Sequence, residues 1–123
     1  MGDQVVLDGV VAAAADADAA SRDRIAGDTG IAARESAAEL LSDPAVKAVV
    51  IATPDHTHAV IAARAMRRGK HVYVEKPCSH NAAEGELMVA AARRHRRIVQ
   101  MGTQRRSIPV FREAVDKLRS GVI

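Results

Sequence analysis

Five consecutive apolar residues, Ala48-Val49-Val50-Ile51-Ala52, stand between Lys47 and the turn-forming Thr53-Pro54-Asp55. A strand with one wet face alternates apolar and polar residues. An unbroken run therefore predicts a strand, over 46–52, covered on both faces as in a parallel sheet. Parallel neighbours cannot be joined by a hairpin and need a crossover, usually a helix. The flanking sequence supplies one at each step. A helical segment over 56–68 stops at Gly69, and a strand over 70–75 ends before Pro77. A helix over 82–94, started by Ser79 or Asn81, leads to a strand over 98–103 and a last helix over 108–119. Upstream, a strand over 10–15 runs into Asp16-Ala17-Asp18, followed by a helix over 19–26. A brief helix over 36–41 has Ser36 and Glu39 in capping-box spacing and breaks at Asp43-Pro44. The expected architecture is an α/β doubly wound parallel sheet, with 46–52 as its central strand and helices on both faces.

Composition agrees with that layering. Tyr73 and Phe111 are the only aromatic residues, so the core must be built from Val, Ile, Leu, Met and many alanines, which let helices lie close on a sheet. The net charge is +3, carried mostly by arginines around residues 64–70, 93–97 and 105–106. Two of these three clusters fall at expected helix C-termini, where cations suit the helix dipole. With no aromatic stacking set or reading motif beside them, a nucleic-acid partner is not expected. Cys78 stands alone, which excludes an intrachain disulfide and suits a reducing cytoplasm. Neither a basic-then-apolar leader nor an apolar run of membrane-spanning length is present, so no membrane partner and a cytoplasmic location are expected.

In an open parallel sheet, ligands gather outside the carboxyl ends of the strands. Those ends are expected at Asp16, at Thr53-Pro54-Asp55, at Glu75-Lys76-Pro77 and at Gly102-Thr103-Gln104. Nearly every residue with chemistry to offer sits at one of them. An acid after an early strand, such as Asp16, is placed to accept hydrogen bonds from an adenosine ribose and to repel a 2′-phosphate. That leans toward NAD, with NADP admitted by the nearby Arg22. The alternative reading has Asp16 only ending the strand and Asp18 only starting the helix. His56 and His58 form an H-x-H pair, but residues two apart diverge on a helix and no third ligand is evident, so no metal is expected.

Three segments then carry a family resemblance. Val49-Val50-Ile51-Ala52-Thr53-Pro54-Asp55-His56-Thr57-His58 resembles the A-T-P-N/D-x-x-H segment of the Gfo/Idh/MocA oxidoreductases (glucose-fructose oxidoreductase and inositol dehydrogenase relatives). Gly69-Lys70-His71-Val72-Tyr73-Val74-Glu75-Lys76-Pro77 resembles that family's G-K-H-V-x-x-E-K-P signature. Val99-Gln100-Met101-Gly102-Thr103-Gln104-Arg105-Arg106 is similar to the strand that closes its cofactor domain. The order and spacing are the family's. The resemblance implies a Rossmann-like NAD(P)-binding domain and hydride transfer with a sugar, polyol or related hydroxyl compound. It implies that Lys76 is catalytic, stabilising charge on the reacting oxygen and joining the proton relay. Thr53, Pro54 and His58 would line the nicotinamide side of the cofactor, Glu75 would set its local geometry, and Gln104 and Arg105 would contact the nicotinamide ribose or substrate.

Two departures accompany the resemblance. The sequence contains no G-x-G-x-x-G turn, whose amides would cradle the pyrophosphate, and Gly27-Asp28-Thr29-Gly30 is misplaced for it. The first strand of the fold is expected to be lacking with it. The family's second domain would begin near the end of this chain. The expected division is a partial dinucleotide-binding domain over 1–106 and the start of a C-terminal substrate domain over 107–123. The expectation is an incomplete, inactive fragment of a homo-oligomeric enzyme. Two alternatives are a relative that uses NAD in glycoside cleavage and a non-catalytic nucleotide-binding module; retention of Lys76 favours the dehydrogenase.

Overall fold

The structure, a computed structural model, describes residues 11 and 13–122. Its elements run β1 (Ala14–Ala15), α1 (Ala19–Thr29), β2 (Ala33–Arg34), α2 (Ala37–Ser42), β3 (Ala48–Ile51), α3 (Asp55–Arg67), β4 (His71–Val74), α4 (Ala82–His95), β5 (Val99–Met101) and α5 (Pro109–Arg119). A 3₁₀ turn over Gln104–Ser107 joins β5 to α5. All strand pairs are parallel, and the crossovers between them are helical. This is a Rossmann-like α/β fold.

Helix boundaries follow local chemistry. Asp18, Ser36 and Asn81 cap α1, α2 and α4, each accepting the backbone N–H three residues on. Asp55 is the first residue of α3, not its cap. Pro54 precedes the helix, and its carbonyl takes both the amide and the hydroxyl of Thr57. Gly69, at φ 77°, ends α3 in the left-handed conformation that a side chain would resist. The strand expected over 10–15 is Ala14–Ala15 among the described residues, with residues 10 and 12 lying outside them. β2 was not anticipated, because two residues of Ala33-Arg34 carry no periodicity.

Within the described residues the strands form two sheets, β1-β2 and β3-β4-β5. Here the expectation for 46–52 needs correction. β3 is the edge of its three-stranded ladder and β4 the centre. Nor do the described residues cover β3 on both faces. Val49 and Ile51 join Val72 and Val74 in a core with Ala59, Ala62, Ala65 and Met66 of α3 and Met88 of α4. The opposite face carries Val50, 52 % exposed, and Ile98, 69 % exposed. An apolar run records that both faces tolerate apolar residues, not that both are covered.

Asp43 ties the two sheets together. Its carboxylate accepts Arg34 of β2 at 2.8 Å and the Ala45 amide at 2.9 Å. Its carbonyl accepts the buried Lys70 ammonium, just before β4, at 2.6 Å. The Asp43 carboxyl is held below the usual carboxylate range, first by the Ala45 N–H and then by Arg34.

Candidate functional site

Three of the anticipated site residues meet in one place. Lys76, Gln104 and Arg105 line a cleft of about 480 Å³ together with Gly102, Thr103 and Arg106. The register places them there: Val74 pairs with Met101, so the chains leaving adjacent parallel strands β4 and β5 diverge side by side. The Lys76–Pro77 bond is cis. Lys76 is exposed, and its ammonium has no hydrogen-bond or ion-pair partner among the described residues.

His58 is 1 % exposed and spends both ring nitrogens on main-chain carbonyls. Nδ1 lies 2.7 Å from the Pro77 carbonyl oxygen and Nε2 2.7 Å from that of Thr53. The ring therefore spans the loops that leave β3 and β4, one residue from Lys76. It supports the site from beneath. Thr53 is further fixed by its hydroxyl, 2.6 Å from that of Thr57, while Pro54 is exposed at the same strand end.

Glu75 is half-buried, and its amide donates to the Ile51 carbonyl at 2.9 Å. Its side chain crosses the strand end beside Gly102. A Cβ on Gly102 would lie 2.7 Å from the Tyr73 hydroxyl oxygen and 3.0 Å from Glu75 Oε1. Glycine here lets the Tyr73 and Glu75 side chains close over the backbone of β5. Tyr73, Thr57 and Arg106 were given no site role from the sequence, and Gly102 and Thr103 only a place at a strand end. Tyr73 was legible in principle, because residues two apart on a strand share a face.

Asp16 lies at the end of β1, on the other sheet, and does not line the Lys76 cleft. One carboxylate oxygen accepts the Asp18 amide at 2.8 Å; the other has no partner among the described residues. Asp18 is the cap of α1, its carboxyl held below the usual range by the N–H of Ser21 and then by the Ser21 side chain. Arg22 is held by the Asp16 and Ala17 carbonyls at 2.9 Å each. The described residues contain no group of three His, Cys, Asp or Glu arranged to hold a metal, and no described helix is long and apolar enough to cross a membrane.

Asp16 keeps one carboxylate oxygen free, and Thr53, Lys76 and Gln104 stand exposed at strand ends, the kinds of group that the ribose and nicotinamide ends of a dinucleotide would need. The sequence offers no glycine-rich turn for the pyrophosphate between them.

Parallel strands with helical crossovers and polar residues gathered at their carboxyl ends form the frame in which open α/β sheets bind their ligands. The family model described as "Oxidoreductase family, NAD-binding Rossmann fold" matches residues 4–103, and this chain belongs to that family, the Gfo/Idh/MocA oxidoreductases. The rhizopine catabolism protein MocA of Rhizobium meliloti is 36 % identical over 113 residues, 92 % of this chain and 35 % of the relative. Inositol 2-dehydrogenase 1 of Saccharopolyspora erythraea is 35 % identical over 116 residues, 92 % of this chain and 34 % of the relative. Among solved structures, the 3-ketoreductase KijD10 of Actinomadura kijaniata, in complex with NADP and TDP-benzene, superposes with a TM-score of 0.82 at 31 % identity. That superposition covers 92 % of this chain and 35 % of KijD10. The chain thus spans about a third of the length of these relatives.

Proposed function

We propose that this chain is the cofactor-side unit of an enzyme that moves hydride reversibly between a nicotinamide and a hydroxyl-bearing carbon of a sugar or polyol. The observation that carries this reading is the meeting of Lys76, Gln104 and Arg105 in one cleft at the ends of β4 and β5. Oxidising an alcohol requires loss of the hydroxyl proton as hydride leaves. The unpaired Lys76 ammonium offers positive charge to the oxygen that becomes negative, and a route for its proton. His58 holds the loop that carries Lys76. Gln104 and Arg105 orient the substrate or the nicotinamide ribose, and Glu75 faces the same strand end.

The cofactor supplies the hydride acceptor. Asp16 would hold its adenosine ribose, and Thr53 and Pro54 would flank the nicotinamide half. Asp16 favours NAD over NADP, because Arg22 is turned toward carbonyls rather than left free for a 2′-phosphate. Residues 1–106 form the dinucleotide-binding part and 107–123 lead into a substrate domain. Every residue of α5 is exposed, its apolar Phe111, Val115 and Leu118 included, as suits a helix made to be covered by further structure.

By itself the 123-residue chain is expected to turn over little, since its sequence offers no G-x-G-x-x-G turn to cradle the pyrophosphate. Calorimetric titration of the chain with NADH should find no low-micromolar site; finding one would require another anion cradle. The reaction itself is tested by isotope. With the active enzyme and a polyol deuterated at carbon, the label should arrive at the nicotinamide. Label lost to solvent would overturn direct hydride transfer.

A further inference from the structure

A carbonyl oxygen only accepts, so a short polar contact to one demands a proton on the partner. His58 makes two such contacts. Its Nδ1 and Nε2 each lie 2.7 Å from a main-chain carbonyl oxygen, those of Pro77 and Thr53, at the short end of the N–H···O range. A neutral imidazole carries one N–H, and its other nitrogen would turn a lone pair on an oxygen at that distance. Only the imidazolium donates from both.

Burial works against this form, since the ring is 1 % exposed. The elements that meet there bear Asp55 and His56 in the first turn of α3, Glu75, Lys76 and Cys78 on the segment leaving β4, and His80 and Glu84 at the start of α4. None of these forms a hydrogen bond or ion pair with the ring, and Glu84 is occupied by the His80 amide at 2.8 Å. The N-terminal end of α3 also opposes a cation, with Asp55 offsetting it. The two carbonyls therefore hold the charge. We propose that His58 is an imidazolium at neutral pH, a positioning residue whose two charge-assisted bonds draw the loops leaving β3 and β4 together and so fix Lys76, next to Pro77. The grip is whole while the second proton is held, and one loop is released as pH rises and that proton leaves. The protonation stands on geometry alone; its consequence for turnover rests on the oxidoreductase reading above.

Ring-nitrogen NMR of the chain reads the protonation directly. At about pH 7.5 a free imidazole is mostly neutral, with one protonated and one bare nitrogen. His58, assigned through its own backbone, should instead show two protonated nitrogens, while the exposed His56 and His80 show one each. Raising the pH further should convert His58 last, with the Thr53, Lys76 and Cys78 amides moving in step. A bare nitrogen on His58 at that pH, or conversion together with His56 and His80, would overturn the inference. In the active enzyme, kcat should fall as the same proton leaves. His58→Gln donates from one nitrogen only and has no proton to lose there, so it should lower kcat about tenfold or more and abolish that pH dependence. A variant with the pH profile of the unmutated enzyme would overturn the positioning role. Because the ring is read without substrate or cofactor, failure of deuterium transfer leaves the NMR result standing, and the converse holds.

Discussion

The layer formed by β3, β4, β5, α3 and α4 and the flanking helices α1 and α5 are built on different terms. In the first, Ala62, Ala65, Met66 and Val74 are wholly buried. In the second, neither helix buries a single residue. The Lys76 loop and its His58 support stand on the first, whereas Asp16 stands beside the second. The group proposed to meet the reacting atom is thus carried by the packed layer, and the one proposed to hold the cofactor by the thin one.

Stability measurements sharpen this contrast. Met66→Ala should cost about 2–5 kcal/mol in chemical denaturation, because its side chain is enclosed and the cavity cannot fully collapse. Phe111→Ala should cost within about 0.5 kcal/mol, as exposed positions do. Comparable losses at the two sites would break the distinction. Lys70→Met removes the buried donor to the Asp43 carbonyl and should cost about 1–3 kcal/mol. Amide exchange should then rise in β2 and α2 more than in β4, which locates the tie between the sheets.

At the loosely packed end the expected effect is one of pH. Asp18 is held below the usual carboxylate range of about 3.8 by the N–H of Ser21. Its contribution to α1 is therefore complete above that range and lost as pH falls through the lowered value. Acid titration followed by helical circular dichroism should show α1 loosening only below that range, after ordinary carboxylates have taken up their protons. Asp18→Asn keeps a capping oxygen that cannot take up a proton there, so it should remove that low-pH phase.

How far the sequence carries is clear from individual residues. Gly69, Ser36 and Asn81 punctuate helices by chemistry that acts over three residues, so those boundaries were readable. The pairing of strands was not. Whether 46–52 is central or edge depends on which strands pair beside it, and an apolar run looks the same in either place. At the site, Lys76, Gln104 and Arg105 were legible because strand ends converge by topology. The bridging of Thr53 and Pro77 by His58 reaches carbonyls 5 and 19 residues away, one to each ring nitrogen, and no spacing rule encodes it. Gly102 was visible as a glycine at a strand end, but its crowding by Tyr73 and Glu75 appears only when β4 and β5 lie side by side.

The central claim is that Lys76 acts on the reacting oxygen while Asp16 serves only to hold the cofactor. Steady-state kinetics of the active enzyme on one sugar substrate separate the two. Lys76→Ala should lower kcat by about a hundredfold or more with little change in the KM for NAD, since its charge matters most in the transition state. Asp16→Ala should raise the KM for NAD and leave kcat at saturating cofactor near normal. Near-normal turnover in Lys76→Ala would contradict the account and reduce Glu75-Lys76-Pro77 to a structural turn.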